Sequence, residues 1–263
     1  MPILQNTFRQ ILAAFCFFTR LPFWRIAHVE KSYYEQVVSW WSLVGWLTGG
    51  IMAMVYMAAS TCQLPLGVCI VLAVVSRVLV TGALHEDGFA DFCDGFGGGT
   101  QRHRILEIMK DSHIGTYGVL GLVLYYLLLW NILTDVFSHD LSPLLFVAAD
   151  AACKFFSSTI IYFLPYARSE AEAKSKLIYV RPSTTMLLVS FVFGLLPMAL
   201  LVIKNPILSL CLITPILCCL LLFTWMHRRI QGYTGDCCGV TFIITELTFY
   251  LSLCLILSQN YIH

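Results

Sequence analysis

The sequence predicts an all-α membrane protein, a bundle of about seven transmembrane helices that forms one integral membrane domain over residues 1–263. Two observations lead to this prediction. The chain is 59% hydrophobic and only 12% charged, whereas about 25% of the residues in an average soluble domain are charged. The apolar residues also form runs of about 18–24 residues, and a helix needs about 20 apolar residues to cross the hydrocarbon core of a bilayer.

The predicted spans are apolar runs separated by polar or turn-forming residues, and we expect them at 37–60, 65–84, 114–134, 143–164, 186–203, 206–225 and 240–258. The first apolar stretch, Phe8–Trp24, differs because Arg20 and Pro22 interrupt it. It predicts an interfacial or re-entrant segment rather than a full span. The N-terminus lacks the charged region and cleavage site of a removable signal, so we expect it to be retained.

The eleven cysteines of the chain do not indicate disulfides or a zinc site. Most of them lie inside the apolar runs, where cysteine behaves as a small hydrophobic residue. No Cys-x-x-Cys pair and no Cys/His ligand spacing occurs. The sequence therefore predicts a reduced protein without structural zinc.

The basic residues indicate the orientation in the membrane. Of the sixteen Lys and Arg residues, two lie within predicted spans and Lys204 lies alone on one side. The other thirteen lie on the opposite side, which the positive-inside rule makes cytoplasmic. They are Arg9, Arg20, Arg25, Lys31, Arg102, Arg104, Lys110, Arg168, Lys174, Lys176, Arg181, Arg228 and Arg229. We therefore expect a multi-pass membrane protein with its N-terminus inside, its C-terminus outside, and loops 85–113, 165–185 and 226–239 on the cytoplasmic side.

Those three loops also contain most of the unusual polar sequence, so we expect the functional site to face the cytoplasm. The net charge is only +1, and no basic stripe with stacking aromatic residues argues for a nucleic-acid partner. No internal repeat supports an inverted-repeat transporter.

The densest chemistry lies in the stretch HEDGFADFCDGFGGG at 85–99. On a helix continuing from the second span, Asp87, Asp91 and Asp94 are spaced i, i+4 and i+7 and share one face. Three carboxylates on one face repel each other unless a cation neutralises them, and hard oxygen ligands suit Mg²⁺, or Mn²⁺ in its place. The alternative is an acidic, solvated helix end that the glycines merely terminate.

Three further features extend this candidate site. Gly97, Gly98 and Gly99 could let backbone N–H groups approach a phosphate. His85 could hydrogen-bond a phosphate or orient a carboxylate, or could simply lie at the boundary. Downstream, Glu107 and Asp111 form a second i, i+4 pair, and carboxylates from two helices can form one metal site.

Four ionisable residues lie at membrane depth, where such residues usually face the bundle interior. Asp150 and Lys154 are spaced i, i+4 and could neutralise each other. Arg77 could reach a pyrophosphate from below or could tie two helices together. Glu246 could be a further ligand or the partner of a buried donor.

Four separated stretches resemble the cobalamin synthase family, the adenosylcobinamide-GDP ribazoletransferases. They are Phe18–Pro22 (FTRLP), the block at 85–99, the stretch from Ile108 (IMKDS) to Gly118, and Gly232–Asp236 (GYTGD) with Gly239. Gln231 departs from the family pattern, in which a glycine is expected, and Cys237 and Cys238 have no evident role.

The resemblance implies a membrane transferase that needs a divalent cation, with Mg²⁺ expected. A ribose hydroxyl of α-ribazole, or of α-ribazole 5′-phosphate, would attack the phosphate next to the cobinamide of adenosylcobinamide-GDP, and GMP would leave. The family resemblance also places Lys110, Ser112 and Asp236 near the substrate. Asp94 or Asp111 is then the expected general base, with direct transfer and no covalent intermediate. The membrane lipid is an expected partner, and an oligomer is compatible with the sequence.

Two alternative functions stay open at this point. Asp91-x-x-Asp94-Gly95 is similar to part of the CDP-alcohol phosphotransferase pattern, although no Ala-Arg follows it and Glu107 and Asp111 arrive too early. An ion-coupled transporter would also place charges inside the membrane, but the acidic cluster lies at the ends of spans rather than at the midplane.

Overall fold

The computed structural model describes residues 2–168 and 179–260, and within them the chain is helical, with one isolated backbone bridge between Tyr166 and Tyr233. Twelve α-helices occur in the described part. They are α1 (Pro2–Phe18), α2 (Lys31–Tyr34), α3 (Trp41–Thr61), α4 (Leu66–Thr81), α5 (Leu84–Gly98), α6 (Arg102–Ile108), α7 (Thr116–Phe137), α8 (Leu144–Ser158), α9 (Ile160–Phe163), α10 (Thr184–Lys204), α11 (Ile213–Ile230) and α12 (Gly235–Asn260).

Six helical segments of the described chain are long and apolar enough to cross a membrane, and a bent pair, α4 with α5, makes a seventh if it is taken as one span. The six are Val37–Thr61, Thr116–Phe137, Leu144–Phe163, Thr184–Lys204, Pro206–Ile230 and Gly235–Ser258. Six of the seven predicted spans thus correspond to these segments within a few residues. The polytopic all-α fold is confirmed.

The second predicted span differs from the prediction, because its helix does not continue into the acidic block. The chain bends by 88° between α4 and α5. The bend lies at Gly82 and Ala83, whose φ angles of 65° and 57° place both residues in the left-handed region. An α-helix cannot pass through two such residues. The acidic block therefore has a helix of its own, α5, turned sharply away from α4.

The inter-helix links that contain the polar motifs lie close together and are joined by hydrogen bonds from arginine side chains. The Arg102 guanidinium donates to the carbonyl oxygens of Ile230 (3.0 Å) and Ala167 (2.7 Å). Arg229 donates to the carbonyl of Gly99 at 2.6 Å. The carbonyls of Ile230 and Gly99 lie at helix ends, where they lack an intrahelical donor, and Ala167 lies in the link after α9. The predicted loop 165–185 lies only partly in the described residues, and Lys174 and Lys176 lie outside them.

The N-terminal stretch forms α1, which ends at Phe18 and is not among the six candidate spans. Leu12, Ala13 and Ala14 of α1 are buried, while Phe8 is 49% exposed. This arrangement agrees with an amphipathic segment that packs on the bundle, although its position relative to a membrane stays a prediction.

Close contacts at glycines join α3 to α8 in the core. A Cβ added at Gly45 would lie 2.7 Å from the Cα of Ala151, and one at Gly49 would lie 2.7 Å from the Cα of Val147. Small residues let membrane helices approach to backbone contact. Because α3 and α8 lie so close, the polar side chains on their facing surfaces meet.

The four ionisable residues at membrane depth form one buried cluster. Arg77 pairs with Glu246, lies 3.9 Å from Asp150, and donates to the hydroxyl of Tyr125 at 3.2 Å. Lys154 pairs with Asp150 and donates to the Thr48 hydroxyl at 2.8 Å. Two cations and two anions give a cluster with no net formal charge.

This cluster resolves the alternatives that the sequence left open. The Asp150–Lys154 pair exists as expected, and Glu246 is the partner of a buried donor. Arg77 is fully buried and ties α4 to α12. Its predicted contact with a substrate pyrophosphate does not fit this position, because the guanidinium is already bound by protein groups.

Replacing Arg77 by Met should destabilise the protein strongly, because it leaves Glu246 buried without its partner. The expected loss is about 3–5 kcal/mol of unfolding free energy. The double variant Arg77→Met, Glu246→Leu should recover much of this loss, since it removes both charges. Thermal unfolding in detergent measures the effect, with Lys204→Met as the control. A double variant no more stable than the single one would contradict the pairing.

Candidate active site

Two glycines bring the first turn of α5 against the start of α12. A Cβ added at Gly88 would lie 3.0 Å from the Cα of Asp236, and one at Gly239 would lie 2.9 Å from the carbonyl oxygen of His85. Any larger side chain at either position would push the helices apart. The approach places the first turns of both helices around one cavity.

The cavity has a volume of about 320 Å³ and is lined by both polar and aromatic side chains. Its polar side chains include His85 and Asp87 from α5, Asp236 from α12, and Arg168 and Tyr166 from the link after α9. Phe17, Phe18, Trp41 and Tyr179 supply most of the aromatic lining. The combination of carboxylates, one arginine and flat rings suits a ligand with phosphate groups and an aromatic base.

His85 is only 2% exposed and lies among aromatic rings. Its ring centroid is 4.8 Å from that of Phe242 and 5.4 Å from that of Trp41. Its Nε2 atom is buried and makes no hydrogen bond within the described residues. Buried polar atoms are nearly always paired, so this nitrogen is an exception, while the His85 residue as a whole borders the cavity.

Asp236 lies in the first turn of α12 and is nearly buried. It accepts a hydrogen bond from the Thr234 hydroxyl at 3.3 Å and lies 4.0 Å from the Arg168 guanidinium. Arg168 is itself fixed, because it donates to the carbonyl oxygen of Leu106 at 2.8 Å. The Asp236 carboxylate therefore enters the cavity in a defined position.

Tyr166 supplies a hydroxyl donor rather than a base. Burial raises the pKa of Tyr166 to about 12, so its phenol stays neutral at ordinary pH. A neutral phenol donates a hydrogen bond to an anionic ligand.

A second cavity, of about 500 Å³, lies beside the bend between α4 and α5. Thr19, Arg20, Thr81 and the residues of the bend line it. It shares Phe17, Leu84 and Asp87 with the first cavity. Asp87 is therefore the one ionisable residue that borders both cavities.

Asp94 has a different position from Asp87. Its two carboxylate oxygens accept hydrogen bonds from the backbone N–H groups of Gly115 (2.7 Å) and Gly118 (2.9 Å), at the start of α7. A carboxylate here satisfies free N–H groups and interacts favourably with the helix dipole. Both oxygens of Asp94 are therefore already used in capping α7, whereas the predicted metal-binding and base roles would need them for a cation or a proton.

Gly97 and Gly98 are helical rather than part of a phosphate-binding turn, and Gly99 caps the end of α5. A Cβ on Gly97 would lie 2.7 Å from the Tyr117 ring, and one on Gly99 would lie 2.7 Å from a side-chain carbon of Ile105. These glycines allow close packing of α5 on its neighbours. They line neither cavity.

The second predicted carboxylate pair lies on an exposed segment. Glu107 pairs with Arg104 at 2.8 Å on α6, and Asp111 binds the ring and backbone nitrogens of His113. The hydrogen bonds from His113 lower the pKa of Asp111, which makes Asp111 a weaker base. Lys110 and Ser112 are exposed beside it. None of the four lines either cavity.

The five predicted metal ligands are therefore not assembled in one place. Asp91 is half-buried on α5, one turn beyond Asp87, and Glu86 is buried on the side of α5 that faces Tyr126. Within residues 2–168 and 179–260, no group of three or more His, Cys, Asp and Glu side chains could hold a metal ion. The structure instead brings together Asp87, His85 and Asp236.

Comparison with known proteins shows the family of the chain. The family model described as cobalamin-5-phosphate synthase matches residues 10–254. The chain belongs to this family. It is 35% identical to the adenosylcobinamide-GDP ribazoletransferase of Shewanella amazonensis. The match extends over 263 residues, which are 97% of this chain and 100% of that protein. It is 34% identical to the protein of that name from Leptospira interrogans, over 95% and 96% of the two chains. No solved structure matches the chain.

The departure at Gln231 has a structural explanation. Gln231 ends α11 with φ 57°, in the left-handed region that glycine adopts most readily. The position therefore favours the glycine that the cobalamin synthase pattern leads one to expect. Cys237 and Cys238 are buried in the first turn of α12, and Cys238 contributes to the wall of the first cavity.

Several cavity residues were not identified from the sequence. Arg20 lies in a stretch that carried the family resemblance, but it was given no role. Arg168 was one of many basic loop residues. Trp41, Tyr166 and Tyr179 carry no local signal, because only the folded chain brings these separate segments to one cavity.

Replacing Asp94 by Ala should destabilise the start of α7 by about 1–2 kcal/mol, because two backbone donors lose their acceptor. Asp94→Asn should cost less, since its amide oxygen still accepts one bond. Thermal unfolding of both variants, with Asp135→Asn as control, tests the capping role. An Asp94→Ala protein with unchanged stability would contradict it.

Proposed function

We propose that this chain is an adenosylcobinamide-GDP ribazoletransferase, which joins adenosylcobinamide-GDP to α-ribazole or α-ribazole 5′-phosphate and releases GMP. The observation that carries the proposal is the convergence of the family's motif stretches. Phe18, the pair His85 and Asp87, and Asp236 come from three of the four stretches and line one cavity. The fourth stretch supplies Gly115 and Gly118, which bind Asp94 on the same helix as Asp87.

The reaction forms one phosphate ester bond and breaks one phosphoanhydride bond. A ribose hydroxyl of the ribazole attacks the phosphorus next to the cobinamide. The bridging oxygen leaves with its electron pair as part of GMP, and the hydroxyl loses its proton. Asp94 and Asp111 do not line the cavity, and the residues that border it and could accept this proton are Asp87, Asp236 and His85.

A divalent cation, Mg²⁺ with Mn²⁺ as a substitute, fits the donor set of the cavity. Mg²⁺ is ordinarily bound by one or two carboxylates together with substrate phosphates and water, rather than by a complete cage of protein ligands. Asp87 and Asp236 would hold it in this site. When bound, the cation stabilises negative charge on the phosphate oxygens.

The two alternative functions receive less support from the site. The CDP-alcohol pattern needs both Asp91 and Asp94 at the reacting centre, but Asp94 binds two backbone amides. The transporter needs charges free to bind an ion at the midplane, whereas Arg77, Asp150, Lys154 and Glu246 pair with each other.

The variants Asp87→Asn, Asp236→Asn and His85→Gln should each retain the fold and lower kcat at least about 100-fold. An amide is a poor ligand for a hard cation, and Gln lacks the imidazole in the cavity. Purified protein with adenosylcobinamide-GDP, α-ribazole 5′-phosphate and Mg²⁺, assayed for GMP and the completed corrinoid, measures the effect.

Glu107→Gln is the matched control, because Glu107 is an exposed carboxylate outside both cavities. Its turnover should stay within about twofold of the unmodified protein. Near-normal turnover in Asp87→Asn and Asp236→Asn would refute the assignment of the cavity. Product formed only from CDP-activated alcohols would favour the alternative transferase.

We also propose that the cavity faces the cytoplasm of a bacterial cytoplasmic membrane. In a cysteine-depleted protein, a single cysteine at His103 should resist an impermeant thiol reagent added outside intact cells. A single native Cys62, which is exposed at the other end of the bundle, should react. The positive-inside rule predicts this pattern, and the reverse pattern would contradict the orientation.

A further inference from the structure

We propose that the second cavity, beside the bend between α4 and α5, binds the pyrophosphate of adenosylcobinamide-GDP through Arg20, while the first cavity binds the ribazole. This inference rests on the proposed function, because it divides the two substrates of that reaction between two cavities. Asp87 lies where the cavities meet, so the transfer takes place beside it.

The position of Arg20 is fixed by the bend. Its backbone N–H donates to the carbonyl oxygen of Val80 at 2.7 Å, which attaches the end of the N-terminal segment to the last turn of α4. Its side chain packs against Gly82 so closely that a Cβ on residue 82 would overlap the Arg20 side chain. Glycine at the bend therefore serves two purposes: it adopts φ 65° and leaves room for Arg20.

The chemistry around Arg20 suits an anion. The guanidinium borders the cavity and forms no ion pair with a carboxylate of the described residues. A planar guanidinium binds phosphate oxygens in a forked arrangement. Thr19 and Thr81 line the same space, but their hydroxyls already donate to the backbone carbonyls of Phe15 and Arg77. Arg20 is therefore the charged donor that this cavity offers a phosphate.

The two cavities differ in what they offer a substrate. The first has the rings of Tyr166 and Tyr179, which can pack against the flat base of a ribazole, and Arg168 near Asp236 can donate to its single phosphate. The second is walled at the bend by backbone and small polar residues and has Arg20 as its one arginine. A pyrophosphate esterified at both ends carries two negative charges, and the forked guanidinium of Arg20, which lines the second cavity together with Asp87, can bind oxygens of both phosphate groups.

The test is two-substrate steady-state kinetics on Arg20→Gln. The KM for adenosylcobinamide-GDP should rise at least about tenfold, as expected for loss of a hydrogen-bonded charge, and the KM for α-ribazole 5′-phosphate should change less than about twofold. Arg20→Lys, which keeps the charge but not the fork, should fall between the two. Arg25→Gln, an exposed arginine five residues along that borders neither cavity, is the matched control and should behave as the unmodified protein.

Three results would overturn the inference while leaving the proposed function intact. They are unchanged kinetics in Arg20→Gln, an equal rise in both KM values, and a rise for the ribazole alone. If Arg20→Gln does not fold, as judged by thermal unfolding in detergent, Arg20→Lys carries the test with the same substrate split. An unmodified protein that forms no GMP from the two substrates would instead refute the proposed function and this inference together.

Discussion

The bend at Gly82–Ala83 determines where the chemistry of this protein lies. A straight continuation of α4 would carry Asp87 and its neighbours along the bundle axis, away from the other polar segments. Because the chain turns by 88°, the first turn of α5 instead meets the N-terminus of α12 and the end of α1. Two left-handed residues in succession are costly unless neighbouring contacts hold them. Here the Arg20 backbone, bonded to Val80, braces the bend from outside.

Glycine then sets the distances on which the cavity depends. Gly88 and Gly239 lie on different helices, each against the backbone of the other. Neither contact requires a positive φ angle, so space rather than conformation explains both residues. The glycine-rich sequence at 95–99 acts in the same way, against α6 and Tyr117. A glycine run beside acidic residues therefore need not be a phosphate-binding loop.

The spans, the all-α class and the family could be predicted from the sequence, because each depends on a local pattern. Apolar run length fixed the spans to within a few residues, and four motif stretches carried the family resemblance. The placement of the site was harder. Helical spacing put Asp87, Asp91 and Asp94 on one face, yet that face spans two environments, since Asp87 borders the cavities and Asp94 caps α7. Spacing along a helix does not tell what the helix packs against.

The exposed pair Glu107 and Asp111 also shows that helical spacing alone does not identify a site. The two residues are correctly spaced, and each found a local partner, Arg104 and His113. Asp236, in contrast, is more than a hundred residues from Asp87 in the chain, and the contacts at Gly88 and Gly239 bring the two segments together. No periodicity in the sequence encodes that contact.

Formal charges around the cavities give a reason for the divalent cation that the proposed reaction requires. The buried cluster of Arg77, Glu246, Asp150 and Lys154 is neutral as a whole, so it contributes little net charge beneath His85. Around the cavities, Asp87 and Asp236 are balanced by Arg20 and Arg168. These formal charges sum to zero, so the phosphates of the two proposed substrates would meet no net positive charge around the cavities. Arg20 and Arg168 would attract the phosphates while the two carboxylates would repel them, and a divalent cation held by Asp87 and Asp236 would offset that repulsion.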